Sequence, residues 1–485
     1  MTETDFQPPH SPFRANDIRG VALGEGATIT PDFAFHLGQA FGTLLWEQCS
    51  DNTTPAPIWL CRDARLSSPD LHAQLVKGLL STGMDVLDLG VGPTPLICHA
   101  AATSPEPYSK SKSGIMITAS HNPPDQNGFK IVVDNQPFFG DDLLLLRERM
   151  ITGRYYQGRH QGTHHQHDHQ PTYIRDLKSR VQNLAINGQM PKIVLDTANG
   201  AAGPLAVAAL EAIGIEVIPL FCEMDGRFPN HSPDTSDPEN LAELVNQVKA
   251  TNAFCGIALD GDGDRMVAVT ETGKILNADE LMAIFSTDVL NQNPTSCVVF
   301  DVKISSQIGQ FIQERGGKPV MTKSGRSHIQ STMQEKQACL AGEFSCHFFF
   351  NDRWHGSDDG IYASARLLEI CHILDQPLSK SANNLAATFA TEEIGIPVDE
   401  ARKFELVQEF SAQAKFDDAN LVTIDGLRIE YATSWALVRA SNTSAKITLR
   451  FEAETETELH KLMSVVRQQL ENLEPSLDLR KLDVS

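Results

Sequence analysis

Three stretches of the chain repeat one plan, and that repetition is the strongest limit on how it can fold. In the first, the apolar run PIWLC leads into Arg62 and Asp63, Ser67 and Ser68 open a helical stretch, and STGMDVLDLG carries a second run past Gly83. In the second, PKIVLD ends at Asp196, then Asn199, Gly200 and Gly203 precede an Ala/Leu-rich helix, and AIGIEVIPL follows. In the third, SCVVFD ends at Asp301, Ser305 and Ser306 open the helix, and ERGGKPVMT follows. A strand, a polar turn, an amphipathic helix and a second strand make a βαβ unit, which predicts parallel sheets covered by helices.

The last block departs from this plan. VTIDGLRIEYA, WALVRAS and AKITLRFEAE alternate with period two, and TETELHKLMSVVRQQLENL has a helical period opened by a capping box at Thr455 and Glu458. It predicts a smaller α+β domain of antiparallel strands and a helix. The 485 residues exceed what one hydrophobic core serves, and the changes of pattern put boundaries near 158–172, 275 and 388.

Charge and cysteine usage narrow the function. With 62 acidic against 40 basic residues, the chain carries a net charge of -22 and no segregated basic patch, which excludes nucleic acid as the expected partner. Nine cysteines without a CxxC pair fit free thiols in a reducing compartment. No apolar run is long enough to span a bilayer, and MTETDFQPPH lacks the marks of a signal peptide, so a cytoplasmic protein is expected. RHQGTHHQHDHQ gathers His160, His164, His165, His167 and His169. It reads as a solvated linker, because ligating histidines need partners that orient their rings.

Five segments carry chemistry. ITASHNPPDQNGFK sets Ser120 beside His121 on a turn stiffened by Pro123 and Pro124. CGIALDGDGDRMVAVT places Asp260, Asp262 and Asp264 at alternate positions of a glycine-spaced loop, a crowding of carboxylates that calls for a hard cation, Mg²⁺ being the natural candidate. A calcium EF-hand fails, because Arg265 stands where its glycine belongs and the flanks alternate like strands. In AGEFSCHFFF, Glu343, Ser345 and His347 alternate and would face one way, a row suited to sugar hydroxyls. LVRASNTSAK clusters Arg439, Ser441, Asn442 and Thr443 at a bend, where a guanidinium with neutral donors fits a phosphate. SPFRANDIRG adds Arg14 and Arg19 near the N-terminus.

Together these segments resemble the α-D-phosphohexomutase superfamily, in particular its phosphomannomutase/phosphoglucomutase branch, through TASHNPP, DGDGDR, GEFSCH and RASNT in the same order. The resemblance implies three related α/β domains with mixed or parallel sheets and a smaller C-terminal α+β domain around a central cleft. Their expected spans are 1–160 with the serine loop, 171–275 with the metal loop, 276–388 with the sugar loop and 389–485 with the phosphate loop. It further implies a phosphoryl group on Ser120, Mg²⁺ on Ser120, Asp260, Asp262 and Asp264, and proton transfer by Lys130 and His347, with Arg19 steadying the phosphoserine. Arg265, Lys303, Arg326, Glu343, Ser345, Arg439, Ser441, Asn442 and Thr443 would bind substrate, and Arg14 and His121 would support the site. The implied partners are hexose phosphates, with a hexose 1,6-bisphosphate as intermediate and activator, acted on by a monomer or small homo-oligomer.

The departures from the branch's pattern are Asn16 for tyrosine, Arg326 for histidine, Cys346 for glycine, and Ser444 and Ala445 where proline usually follows. A side chain at Cys346 is expected to restrict the loop or crowd the sugar. Competing readings are a phosphoglucosamine mutase, whose loops resemble GEQSGH and RPSGTEP, and a non-catalytic sugar-phosphate sensor. A serine hydrolase ranks last, since no G-x-S-x-G elbow is present.

Overall fold

The computed structural model describes the chain except residues 1–5, 50–53, 159, 182–183, 185–187, 443 and 484–485. It is built on four sheets of seven, four, four and six strands. The first three share a core of identical topology. In the first, strands Ile58–Arg62, Val86–Val91, Gly114–Ile117 and Gln126–Val133 lie so that, counted along the chain, the fourth neighbours the third, the third the first, and the first the second. The same order holds for Lys192–Asp196, Glu216–Leu220, Cys255–Leu259 and Met266–Thr270, and for Cys297–Asp301, Lys318–Thr322, Leu340–Gly342 and Phe348–Phe350. In each set the first three strands are parallel and the fourth returns antiparallel on the third. Helical crossovers enforce the parallel pairs, and a short loop suffices only for the last, antiparallel pair.

That hairpin loop is where the chemistry sits. Residues 118–125, 260–265 and 343–347 occupy the same place in the three units, after the carboxyl end of a parallel strand, the position at which open α/β sheets bind ligands. The turn after each unit's first strand braces it. Ala201 N donates to Gly261 O (3.0 Å) in the second unit and Phe344 N to Asp301 Oδ1 (3.2 Å) in the third. The fourth sheet is wholly antiparallel, and residues 441–445 join its strands Ser434–Ala440 and Lys446–Ala453. Thr455 caps the helix Glu456–Leu473 by accepting from Glu458 N (3.2 Å).

One apolar cluster runs through the first three units, from Trp59 and Leu96 through Leu195 and Ile257 to Phe300 and Phe350. The fourth domain has its own core around Phe410, Phe451 and Leu470. It is tied to the third by buried cations: Arg428 donates to the carbonyls of Val302 (2.6 Å) and Ile304 (2.7 Å), and Arg450 to Asp279 Oδ2 (2.9 Å). No helix among the described residues is long and apolar enough to cross a membrane.

The histidine-rich stretch departs from the solvated linker expected of it. His164–Gln166 is a strand, parallel to Val86–Val91 at the edge of the first sheet, so that sheet continues past residue 160. His169 is 1 % exposed, its Nε2 2.9 Å from His99 Nδ1. Imidazole rings supplied what the stretch lacks in aliphatic side chains: His167 and His169 pack on Trp59 at 5.1 and 5.8 Å between ring centres.

The helices Pro31–Gln48 and Ser68–Ser81 cross with backbone against backbone, since a Cβ on Gly78 would stand 2.1 Å from Phe35 O. Gly78→Ala should therefore destabilise the protein by about 1–3 kcal/mol through overpacking, read as a lowered urea midpoint. An unchanged midpoint would contradict this contact.

Candidate active site

The serine loop is held from within by one buried cation. Arg65 follows the strand Ile58–Arg62, and its side chain is fully buried. Its guanidinium donates to the carbonyls of Ser120 (2.8 Å), Asn122 (2.7 Å), Pro123 (2.6 Å) and Gln126 (3.1 Å), and its Nε to Asp63 Oδ2 (3.0 Å). These bonds supply donors to carbonyls that the turn points inward, so the loop closes around the arginine. Ser120 itself has φ 53°, and its N–H donates to Thr118 Oγ1 (2.9 Å). A left-handed conformation at a non-glycine residue costs about 1–2 kcal/mol, which the surrounding bonds must hold in place.

The metal-type loop meets this serine across the boundary between the first two units. Ser120 Oγ donates to Asp260 Oδ2 (2.6 Å). Asp262 Oδ2 accepts from Thr94 Oγ1 (2.5 Å) and Lys130 Nζ (2.7 Å), and Asp264 Oδ2 also accepts from Lys130. All three aspartates are fully buried. Burial, together with the charges of Asp264 and Asp262, pushes the Asp260 carboxyl up to about 7. Burial disfavours charge on Lys130 too, but Asp262 and Asp264 outweigh it and raise its pKa. Gly261 permits the approach, because a Cβ there would stand 2.4 Å from Ser120 O.

This donor set fits a hard divalent cation. One oxygen from each of the three carboxylates lies within 4.8 Å of the others. Asp262 Oδ1 and Asp264 Oδ1 are buried and accept no hydrogen bond. Lys130 bonds to two of the carboxylates, Arg265 and Arg326 stand 3.9 Å from Asp260 and Asp264, and oxygen-only ligands of this kind suit Mg²⁺.

The sugar-type loop adjoins the metal loop. Met266 N donates to Cys346 O (3.1 Å), and Arg265 Nε to His347 Nε2 (3.0 Å). Since that nitrogen accepts, the ring proton is on Nδ1, which faces Asp358 Oδ2 (3.0 Å) and Asp264 Oδ1 (3.5 Å). Cys346 has φ 66°, a conformation glycine takes more easily, so the expected restriction is real. The expected crowding of the cleft is not: the thiol is buried in the apolar core, where burial pushes its pKa to about 12. Arg326 pairs with the buried Asp358 through two bonds (2.7 and 2.6 Å) and stands 3.9 Å from Asp264.

The cleft among the four domains holds about 530 Å³. Arg14, Arg19, Arg265, Lys303, Arg439 and Lys446 line it against only Asp17, Glu343 and Glu393. A cationic cavity in a chain of net charge -22 selects small anions. Arg19 donates to Asn122 Oδ1 (2.8 Å), which ties it to the serine loop. Across the cleft, Lys303 Nζ lies 3.3 Å from Glu393 Oε2, and Arg439 donates to Asp425 Oδ2 (3.0 Å). His121, Ser345, Ser441 and Asn442 also line it. Thr443 lies outside the described residues. His121 Nδ1 is 3.3 Å from Ser120 Oγ, and burial near Arg265 and Arg19 holds its pKa well below the ordinary value, so it is neutral.

Sequence reasoning missed Arg65, Thr94, Asp358 and Lys446. Arg65 and Asp358 follow or flank strands and carried a weak signal as charges in apolar surroundings, whereas nothing local marks Thr94.

Four family profiles match the chain in order: phosphoglucomutase/phosphomannomutase alpha/beta/alpha domains I (residues 10–150), II (171–273) and III (277–389), and the C-terminal domain (393–469). The phosphomannomutase/phosphoglucomutase of Pseudomonas aeruginosa is 43% identical over 472 residues, 97% of each chain. The phosphoglucomutase of Neisseria gonorrhoeae is 39% identical over 455 residues, covering 93% of this chain and 95% of its own. A crystal structure of a phosphoglucomutase/phosphomannomutase family protein from Burkholderia thailandensis superimposes with a TM-score of 0.89 at 39% identity, over 96% of this chain and 98% of its own.

The close approach at Gly261 has a direct test. Gly261→Ala forces the two loops apart and should lower turnover by about 10²-fold, as a misplacement of about 1 Å does, with a native circular dichroism spectrum. Turnover at the native level would contradict the contact.

Proposed function

This chain belongs to the phosphoglucomutase/phosphomannomutase family, and we propose that it is a phosphohexomutase that interconverts the 1- and 6-phosphates of mannose or glucose through a phosphoserine at Ser120 and a hexose 1,6-bisphosphate. The observation that carries this reading is the bond from Ser120 Oγ to Asp260 Oδ2 (2.6 Å), in a buried carboxylate cluster beside a cationic cleft.

Asp260, Asp262, Asp264 and Ser120 would hold Mg²⁺, which when bound draws charge from the phosphoryl oxygens. In the forward half-reaction the Ser120 oxygen–phosphorus bond breaks as a free hydroxyl of the hexose phosphate forms a new one. The hydroxyl gives up its proton and the serine oxygen regains one; Lys130 and His347 are the groups proposed to move these protons. The bisphosphate then turns over in the cleft, and its other phosphate returns to Ser120. Lys303, Arg439, Ser441, Asn442 and Thr443 hold the phosphate that does not react, and Glu343 and Ser345 bind sugar hydroxyls in either orientation. Arg19 and Arg265 neutralise the phosphate at the serine. His121 and Arg14 support the site, and Arg326 acts through Asp358 on His347.

Ser120→Ala should lower turnover by roughly 10⁴-fold or more, as loss of a covalent nucleophile does, while calorimetry still finds hexose phosphate bound. A variant that binds and turns over normally would exclude the phosphoserine. Removal of divalent ions by a chelator should abolish turnover and added Mg²⁺ restore it. In a coupled assay, kcat/KM for mannose 1-phosphate and glucose 1-phosphate should exceed that for glucosamine 1-phosphate; the reverse order would identify an amino-sugar mutase.

A further inference from the structure

The histidine-rich stretch plays no part in the reaction, yet it closes a second cluster. His72 on the helix Ser68–Ser81, Asp88 on the strand Val86–Val91 and His164 on the edge strand His164–Gln166 each bring one ligand-type atom within 4.8 Å of the other two. None of them lines the cleft.

The hydrogen bonding of this cluster does not close. His164 Nε2 (2.8 Å) and Gln166 Nε2 (2.6 Å) both bond to Asp88 Oδ2, which fills that oxygen's two lone pairs. His72 Nε2 crowds the same oxygen at 3.1 Å, is buried, and meets it as an ion-pair contact without a well-aligned hydrogen bond. Three nitrogens thus converge on one carboxylate oxygen that can serve two. The carboxylate is already oriented, since Gly90 N donates to its other oxygen (2.8 Å). Strand pairing of Val86 with His164 fixes the third element.

We propose that His72, Asp88 and His164 bind a divalent transition metal of the zinc class. Two imidazoles and a carboxylate match that class and not Mg²⁺ or Ca²⁺. Ligand atoms around a tetrahedral ion of this kind stand about 3.4 Å apart, so the spacings of His72 (3.1 Å) and His164 (2.8 Å) from Asp88 Oδ2 need to open only slightly. The Gln166 amide turns aside to free the carboxylate oxygen, and water completes the coordination. The His164 side chain is 34% exposed, which gives the ion a path from solvent. Once bound, the metal staples the segment leading out of the first sheet to the helix Ser68–Ser81.

The test is a titration of the untagged protein with Co²⁺ in excess Mg²⁺, which keeps the aspartate loop filled. One Co²⁺ per chain should give the visible absorption of a tetrahedral ion. His72→Gln and His164→Gln should each weaken it by at least about 10- to 100-fold, since losing even a partner of a metal ligand costs that much, with Mg²⁺-supported turnover unchanged. His355→Gln, which alters the other histidine cluster with His99 and Asp176, should leave the absorption intact. No such absorption in the native protein, its survival in both His72→Gln and His164→Gln, or its loss in His355→Gln would overturn the proposal.

Discussion

The structure depends on the mutual repulsion of three buried carboxylates. Asp260, Asp262 and Asp264 lie on one loop of the second unit, and removing even one such charge from water costs several kcal/mol unless it is compensated. Part of the compensation comes from the first unit, through Ser120, Thr94 and Lys130, and part from Arg265 beside Asp260 and Arg326 of the third unit beside Asp264. The electrostatic need of one unit thus helps to hold the first unit's serine loop against the carboxylate cluster. Gly261 and Gly200 follow from the same constraint. A Cβ on Gly200 would stand 2.6 Å from Gly261 O, so the turn after the second unit's first strand must also pass backbone to backbone.

Repetition explains how so much chemistry reaches one cleft. Each α/β unit offers one loop at the carboxyl edge of its sheet, between its third and fourth strands, and that loop can vary without disturbing the parallel core. The three loops carry a hydroxyl, a carboxylate cluster and the alternating Glu343, Ser345 and His347 proposed to meet the sugar. Arg265 and His347 join the second and third, and Asp358 with Arg326 backs that junction.

Much of this was legible in the sequence. The three βαβ stretches correspond to the three sheets, and the alternating block near the C-terminus to the fourth. The motif loops were legible because their residue types are costly anywhere except at a site: three aspartates in five positions, or a serine against two prolines. What escaped was the set of residues that act at a distance. Arg65 resembles any charged residue after a strand, and only the fold turns four carbonyls toward it. Arg326 is assigned to substrate on motif position, but its partner Asp358 is 32 residues away. In the 160–169 stretch His160, His164 and His165 are exposed as a solvated segment implies, whereas the burial of His169 has no local signal, because a histidine gives no hint in sequence of whether its ring face will be covered.

The central claim is that Ser120 carries the phosphoryl group in transit. The most direct measurement is peptide mass spectrometry of the protein after incubation with glucose 1,6-bisphosphate and Mg²⁺, followed by quenching in acid. The account predicts one phosphoryl group on the peptide bearing Ser120 and, when that group carries ¹⁸O and unlabelled hexose phosphate is added before the quench, its exchange for an unlabelled phosphoryl group. An unmodified Ser120, or a label that stays on the serine through turnover, would contradict it.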